Sequence, residues 1–483
     1  MRLSFLLALF LVGHLSAFGQ ASFDRALNRS YENYKENSLT NRRIKHDEIE
    51  RIVQQLDAPF RVSTAGSSYQ GRNIYEVTYG EGPVKVMLWS QMHGNEPTAT
   101  MAMMDIFRFL QADDEFNLLR RQFRKKLTLV FVPMLNPDGA ECYLRHNAQD
   151  LDLNRDAVNL ESPEARLLKS LWEQHRPEWG FNLHDQNRYY AAGENPKPAT
   201  ISFLAPAYNH QKEVNTVRKR SMQLIGLLDQ TLQPYIPGQV ARYNDAFEPR
   251  AFGDNFQKWG TSTILIESGG LPGDPEKQEV RKLNFVALLT AFQAIVSERY
   301  RSVPLQTYEA IPYNLKNAFV DLAIRNVLLE DADEPGPVDI TIRRESHSDD
   351  GELLYFNDMI MARGDLSDRY AYEDFVANGH RAEAGKVYPK VLSSWSDYRQ
   401  LDHRELWKAG YTAVRMRGFS WDINEDVCLD ELPRHFSESQ LLEVLPENAD
   451  AEQKIVPGRS TSMVLRKDNR VEYVIVNGRL IRL

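Results

Sequence analysis

Cysteine is nearly absent from this chain. Its 483 residues hold two, Cys142 and Cys428. They stand far apart in the sequence, and a disulfide needs close and specific geometry, so no pairing between them is expected. Positive charge is not in excess either: the formal net charge is -9, which argues against nucleic acid or an anionic membrane surface as the main partner. Internal repeats and low-complexity tracts are missing. Beyond the first residues no apolar run reads as long enough to span a bilayer, so no stable membrane insertion is expected. What remains is a globular composition, 42% hydrophobic and 26% charged, in a chain long enough for a large core and more than one domain.

The N-terminus carries an address. Arg2 precedes an apolar run from Leu3 to Val12, and small residues follow at Ala17, Gly19 and Ala21. This is a secretory signal pattern with cleavage near Gly19 or Gln20. The expectation is a signal peptide over 1–20 and a mature protein that is secreted or periplasmic.

After a polar, helix-prone stretch to Leu56, strands alternate with helices. Asn73 to Tyr79 and Val84 to Trp89 read as strands, and Pro97 is well placed to open a helix from Thr98 to Leu110. The methionines Met101 and Met104 on that helix read as core. Leu127 to Val132 is a strand followed by a turn at Asn136-Pro137-Asp138-Gly139. Ser162-Pro163-Glu164 opens another helix, and helices are also expected over Gln211 to Gln230 and from Pro275 to about Tyr300. Short strands precede His184 and Glu267. The pattern predicts an α/β domain with a mixed, largely parallel sheet flanked by helices. An acidic break at 330–337 leads into strand-like segments, including Val471 to Val476 with a hairpin signal at Asn477-Gly478. The expected division is therefore an α/β domain over 21–305 and a β-rich accessory domain over 306–483.

Four residues suggest chemistry. His93 and Glu96 follow one strand in Gln91-Met92-His93-Gly94-Asn95-Glu96-Pro97, His184 ends a second in Phe181-Asn182-Leu183-His184-Asp185, and Glu267 ends a third. Open α/β sheets place their sites at the carboxyl ends of strands. Two imidazoles and a carboxylate make a zinc set with one open position. A further carboxylate is what an activated water needs as a base. Gly94 reads as permitting a tight turn between the first two, and Gly253, Gly269 and Gly270 read as turn glycines.

His-x-x-Glu, the later His, Asn-Pro-Asp-Gly, Asp-Leu-Asn-Arg and a final Glu, in this order, resemble the carboxypeptidase A family of zinc metallocarboxypeptidases over roughly residues 60 to 300. The resemblance implies a zinc carboxypeptidase-like fold, with one Zn2+ on His93, Glu96 and His184 and Glu267 as general base. It implies that Arg145 polarises the scissile carbonyl and that Asn154 and Arg155 grip the substrate's free carboxylate. A guanidinium suits both tasks. The competing reading of that stretch is a charged surface cluster with Asp150, Asp152 and Asp156. Asp152 matches the carboxylate that orients a ligand imidazole. Asp185 is not assigned that role. Tyr243 is the best candidate for the tyrosine that closes over substrate, although the local pattern departs from the digestive enzymes. Tyr189 and Tyr190 are placed near the cleft.

The implied partner is a peptide or small amide with a free carboxylate. The alternative is a zinc-dependent amidase or deacylase of N-acyl amino acids or of γ-linked cell-wall peptides. The His-Gly-x-Glu form and the short gap to His184 resemble the succinylglutamate desuccinylase and aspartoacylase branch. At the other end, Ile324 to Leu329 and Val474 to Gly478 resemble the β-sandwich flanks of amidohydrolases. The His-x-His pair of such enzymes is absent between them, so an accessory role is implied.

Overall fold

Near-continuous apolar runs such as Leu127–Val132 build the centre of the sheet, and each strand sends successive side chains to opposite faces. The computed structural model describes residues 20–329, 336–349, 352–419, 441–450 and 453–483. The signal pattern, most of the acidic break and Cys428 lie outside the described residues. The chain divides into two units, Met1–Leu315 and Lys316–Leu483.

In the first unit, β1 (Phe60–Ser67), β2 (Asn73–Tyr79), β3 (Val84–Ser90), β4 (Leu127–Val132), β5 (Trp179–Asp185), β6 (Ile201–Leu204), β7 (Val240–Arg242) and β8 (Ser262–Ser268) form one sheet. Their order is β1-β2-β4-β3-β5-β8-β6-β7. The central strands β4, β3, β5 and β8 are parallel, and β6 pairs antiparallel to β8. The sheet is therefore mixed, as the sequence predicts.

The helices are α1 (Gln20–Ser30), α2 (His46–Gln54), α3 (Thr98–Gln111), α4 (Asn117–Lys126), α5 (Pro137–Cys142), α6 (Pro163–His175), α7 (Thr216–Leu232), α8 (Phe252–Lys258), α9 (Gln278–Ser297) and α10 (Leu305–Glu309). Val86 and Leu88 of β3 join a core with Met101, Met104 and Phe107 of α3 and Leu288 and Phe292 of α9. Met87 and Trp89, one residue out of step, join the opposite core with Leu168 and Trp172 of α6 and Phe252 and Phe256 of α8. Covering on both faces is what parallel strands need.

Several details differ from the sequence reading. The expected turn at Asn136 to Gly139 is the start of α5, where the Asn136 side chain accepts a hydrogen bond from Gly139 N at 2.9 Å. Gly253 lies inside α8 rather than in a turn. Helix α9, with 20 residues, is long and apolar enough to cross a membrane. Its side chains are instead largely buried, against the sheet and α3, so length and apolarity here mark a central core helix.

One buried ion pair ties the N-terminal segment to this core. Arg281 of α9 and Asp105 of α3 are both fully buried. Arg281 Nε donates to Asp105 at 2.7 Å, Nη2 meets the other carboxylate oxygen, and Nη1 donates to Leu39 O at 2.6 Å. Tyr31 and the Glu36 backbone donate to the same carboxylate. Burial pushes the Asp105 carboxyl up even so, against the pull of Arg281.

Among its described residues the second unit contains two sheets. The larger joins β9 (Phe319–Leu329), β10 (Pro337–Asp349), β11 (Glu352–Gly364), β12 (Tyr370–Val376), β13 (Arg381–Ala384), β17 (Ser462–Lys467), β18 (Arg470–Val476) and β19 (Arg479–Arg482). The smaller is parallel and joins β14 (Lys386–Leu392), β15 (Tyr411–Met416) and β16 (Glu443–Pro446). Asn477 and Gly478 both take positive φ, 50° and 68°, in the β18–β19 hairpin, as the Asn-Gly signal predicts.

The Asp105–Arg281 pair has a measurable consequence. Arg281→Met leaves a buried carboxylate without its partner, a loss of about 3–5 kcal/mol. The urea midpoint followed by tryptophan fluorescence should fall accordingly, and Asp105→Asn in the same chain should recover part of the loss.

Candidate metal centre

The register of the central strands brings the candidate residues together. Strand β3 pairs with β5 up to Ser90↔Leu183, and β5 pairs with β8 through His184↔Glu267 and Asp185↔Ser268. Residues directly opposite in neighbouring strands share a face of the sheet. His184 and Glu267 are thus side by side, and the turn leaving β3 carries His93 and Glu96 over the same strand ends. Gly94 has no positive φ. A Cβ there would lie 2.0 Å from the Gly139 backbone, so glycine is needed for the close approach of this turn to α5, not for the turn's dihedral angles. Gly269 is a similar case, since a Cβ would lie 2.0 Å from Ala199 O.

The two imidazoles converge on one carboxylate. His93 Nδ1 lies 2.8 Å from Glu96 Oε1 and His184 Nδ1 lies 2.7 Å from Glu96 Oε2. The three residues are buried, and their donor atoms all lie within 4.8 Å of one another, an arrangement able to hold a metal ion. On the far side of His93, Nε2 lies 3.0 Å from Asp152 Oδ1. A proton held there leaves the Nδ1 lone pair for a cation, so the donor set fits zinc. His184 Nε2 is 3.5 Å from Asn154 Nδ2, at the limit of a hydrogen bond.

Charge follows this geometry. Burial pushes the Glu96 carboxyl up, but the charges and hydrogen bonds of His93 and His184 outweigh it and hold Glu96 low. Burial pushes His93 down, and Glu96 and Asp152 overcome that, so His93 is raised. For His184 burial prevails and the shift is downward. Burial also opposes ionisation of Asp152, yet the hydrogen bond and charge of His93, with Arg145, hold it well below the ordinary carboxylate range. Glu267 is the opposite case. Burial, reinforced by the charges of Glu96 and Asp185, drives its carboxyl well up.

The basic residues separate into two places. Arg145 reaches the His-Glu-His cluster: Nη1 is 3.2 Å from Glu96 Oε1 and 3.1 Å from His93 Nδ1, and Nη2 is 3.0 Å from Asp152 Oδ2. Its side chain is 44% exposed, which leaves it open to a ligand. Asn154 and Arg155 sit in a short turn capped by Asp152. Asn154 Oδ1 accepts from Phe252 N at 3.0 Å, which ties the turn to α8. Arg155 Nε faces Glu248 Oε2 at 3.5 Å. Of the acids weighed as surface partners, Asp152 does pair with Arg145, while Asp156 accepts from the Glu161 and Ser162 backbone instead.

Tyr243 directly follows β7, its N–H donating to Phe203 O at 2.9 Å. Its ring lies 6.1 Å from that of Tyr190. Burial pushes its hydroxyl up, and so do the charge of Glu267 and the Tyr190 hydroxyl. Tyr189 is buried.

The sequence carries no sign of the contacts of three acids, Asp185, Glu248 and Asp254. Asp185 does not orient an imidazole. It accepts from Thr98 Oγ1 at 2.6 Å and pairs with Lys277 Nζ at 2.9 Å. Glu248 on Arg155 is the second. The third is Asp254, whose carboxyl accepts from Glu248 N at 3.1 Å and is pushed up to about 7 by burial. Lys277 sits in a charged run before a helix and looks solvated in sequence. Nothing in its neighbourhood signals burial.

Residues 46–235 match the family model described as zinc carboxypeptidase. That span holds His93, Glu96, Arg145, Asp152, Asn154, Arg155 and His184 and ends before Tyr243 and Glu267. Among curated proteins, Carboxypeptidase 2 of Trichophyton tonsurans is 27% identical over 133 residues, 27% of this chain and 24% of that protein. Carboxypeptidase SOL1 of Arabidopsis thaliana is 22% identical over 205 residues, 35% of this chain and 41% of that protein. The matched stretches thus span well under two thirds of these relatives' lengths. Among solved structures, a metallo-carboxypeptidase from Burkholderia cenocepacia aligns with a TM-score of 0.42 at 18% identity, covering 53% of this chain and 69% of that one. Over residues 46–235 the chain resembles the zinc carboxypeptidase family, the same family that its His-x-x-Glu and Asn-Arg motifs resemble.

Proposed function

We propose that the protein is an exported zinc metallocarboxypeptidase that removes residues from the C-terminus of peptides. The observation that carries this reading is the convergence of His93, Glu96 and His184 beside Glu267 at neighbouring strand ends, with Arg145 at the edge of the cluster. In this reading catalysis belongs to residues 21–305 and the β-rich region over 306–483 is accessory. The N-terminal signal pattern supports export to the periplasm or beyond.

His93, Glu96 and His184 would hold one zinc ion, which supplies a Lewis acid that acidifies water and polarises a carbonyl. Asp152 fixes the His93 tautomer. Asn154 and Arg155 bind the terminal carboxylate of the peptide and so select the last peptide bond. Glu267 takes a proton from the attacking water and returns one to the leaving amine. Burial and the neighbouring acids raise its carboxyl, which favours proton uptake from the water. Arg145 donates to the carbonyl oxygen as negative charge develops on it. Tyr243 lies close enough to feel the charge of Glu267, consistent with a place over the bound substrate.

The deciding experiment is mass spectrometry of a mixed library of peptides, muropeptides and N-acyl amino acids, incubated with zinc-loaded and with chelated protein. Loss of single C-terminal residues with zinc alone is the expected result. Release of acyl groups without peptide trimming would favour the amidase reading instead.

Further outcomes follow from the same assignments. Glu267→Gln should bind zinc one to one yet lose about 10²–10⁴-fold in kcat, the usual worth of a positioned proton-transfer group. Glu248 competes with a substrate carboxylate for Arg155. Glu248→Gln should lower KM by about two- to fivefold, as expected for a half-exposed ion pair, whereas Arg155→Met should raise KM and abolish the preference for free over amidated C-termini. Zinc affinity should weaken on acidification, because protons compete for the imidazoles. His93 is shifted upward, so the decline should begin above the ordinary histidine value of 6.5, read by chelator competition between about pH 5 and 8.

A further inference from the structure

We propose that Lys277 is a positioning residue whose ammonium brackets the ends of the two strands carrying His184 and Glu267. Lys277 is 9% exposed. Its Nζ lies 2.9 Å from Asp185 Oδ2 and donates to Ser268 O, also at 2.9 Å. Asp185 and Ser268 face each other in the β5–β8 register, one step beyond His184 and Glu267. A single cation therefore joins the residue after a metal-donor candidate to the residue after the base.

The bracket extends to the other donors. The carboxylate oxygen that Lys277 holds also accepts from Thr98 Oγ1 at 2.6 Å, and Thr98 begins the helix that follows Glu96. The backbone N–H of Asp185 donates to Glu96 Oε2 at 3.2 Å. From the helix that Lys277 precedes, Asn284 donates to Ser268 Oγ at 2.9 Å. Lys277 takes a left-handed backbone conformation, φ 54°, at a non-glycine residue, which is uncommon and is kept where surrounding contacts hold it. Its charge also offsets that of Asp185, which stands next to the donor set and near Glu267. Removing the ammonium would leave Asp185 buried without its ionic partner and take away a side-chain link between the two strand ends.

Lys277 has no part in the chemistry itself, so its test separates positioning from stability. The probes are zinc alone, titrated against a chromogenic chelator, and peptide hydrolysis resolved into kcat and KM. Lys277→Met should still bind one zinc, about tenfold more weakly, and lose about tenfold or more in kcat with KM nearly unchanged, the scale seen when a ligand's supporting partner is removed. Thr98→Val removes one hydroxyl from the same carboxylate and should move both readouts in the same direction by less. It carries the test if Lys277→Met does not fold. Asp185→Asn combined with Lys277→Met should lose no more than Lys277→Met alone, since the ammonium that pairs with Asp185 is already gone. Wild-type zinc affinity and kcat in the folded variants, or additive losses in the pair, would overturn the proposal. The effect on kcat rests on the carboxypeptidase reading, whereas the effect on zinc affinity does not. Absence of hydrolysis by the unaltered protein would therefore count against that reading and leave the zinc arm to judge the bracket.

Discussion

The parallel pairing of β3, β5 and β8 is the constraint on which the site depends. Side chains alternate along a strand, so a slip of one residue between β5 and β8 would place Glu267 on the face opposite His184. The pairing is held by apolar burial on both faces, with Phe181, Leu183, Ile264 and Ile266 on one side and Trp89 and Phe256 on the other. Chemistry and packing thus share one register. The polar residues occupy the last positions of strands whose earlier positions are committed to the core.

The electrostatics of the centre show why buried charge is tolerated here. Glu96, Asp152, Asp185 and Glu267 crowd the strand ends, with Arg145 and Lys277 as the basic partners named among them. Such an assembly disfavours full ionisation, and the strain falls on Glu267, which lacks the direct imidazole contacts that hold Glu96 low. A divalent cation at the Glu96 oxygens would redistribute this balance. The surroundings of His93, with its second nitrogen on Asp152, are already suited to that change.

Much of this was legible in the sequence, for identifiable reasons. Strands Asn73–Tyr79 and Leu127–Val132 stand where their apolar pattern and flanking turns place them. The four candidate metal and base residues stand out because each follows or ends an apolar run. Neither Ile201–Leu204 nor the edge strand Val240–Arg242 beside it shows in the sequence, because runs of three or four residues have too little periodicity to register. Asn-Pro-Asp-Gly reads as a turn and serves equally as a helix start, so the helix Pro137–Cys142 is hidden in the sequence. Lys277 was invisible because burial of a lysine depends on an aspartate 92 residues away. The β-rich character of the tail was clear, but its parallel three-stranded sheet, with intervening helices at Trp395–Arg399 and His403–Lys408, was not.

The contact of Gly94 with the Gly139 backbone bears on how such a centre can be altered. The turn bearing His93 and Glu96, two of the candidate donors, is seated against α5 with no room for even a methyl group between them. Asn136, which caps that helix, also donates to Met92 O at 3.3 Å, just ahead of His93. Residues 91–97 and 136–142 therefore behave as one cassette. A redesign that lengthens the donor loop, or grafts it onto another scaffold, has to carry the helix along with it.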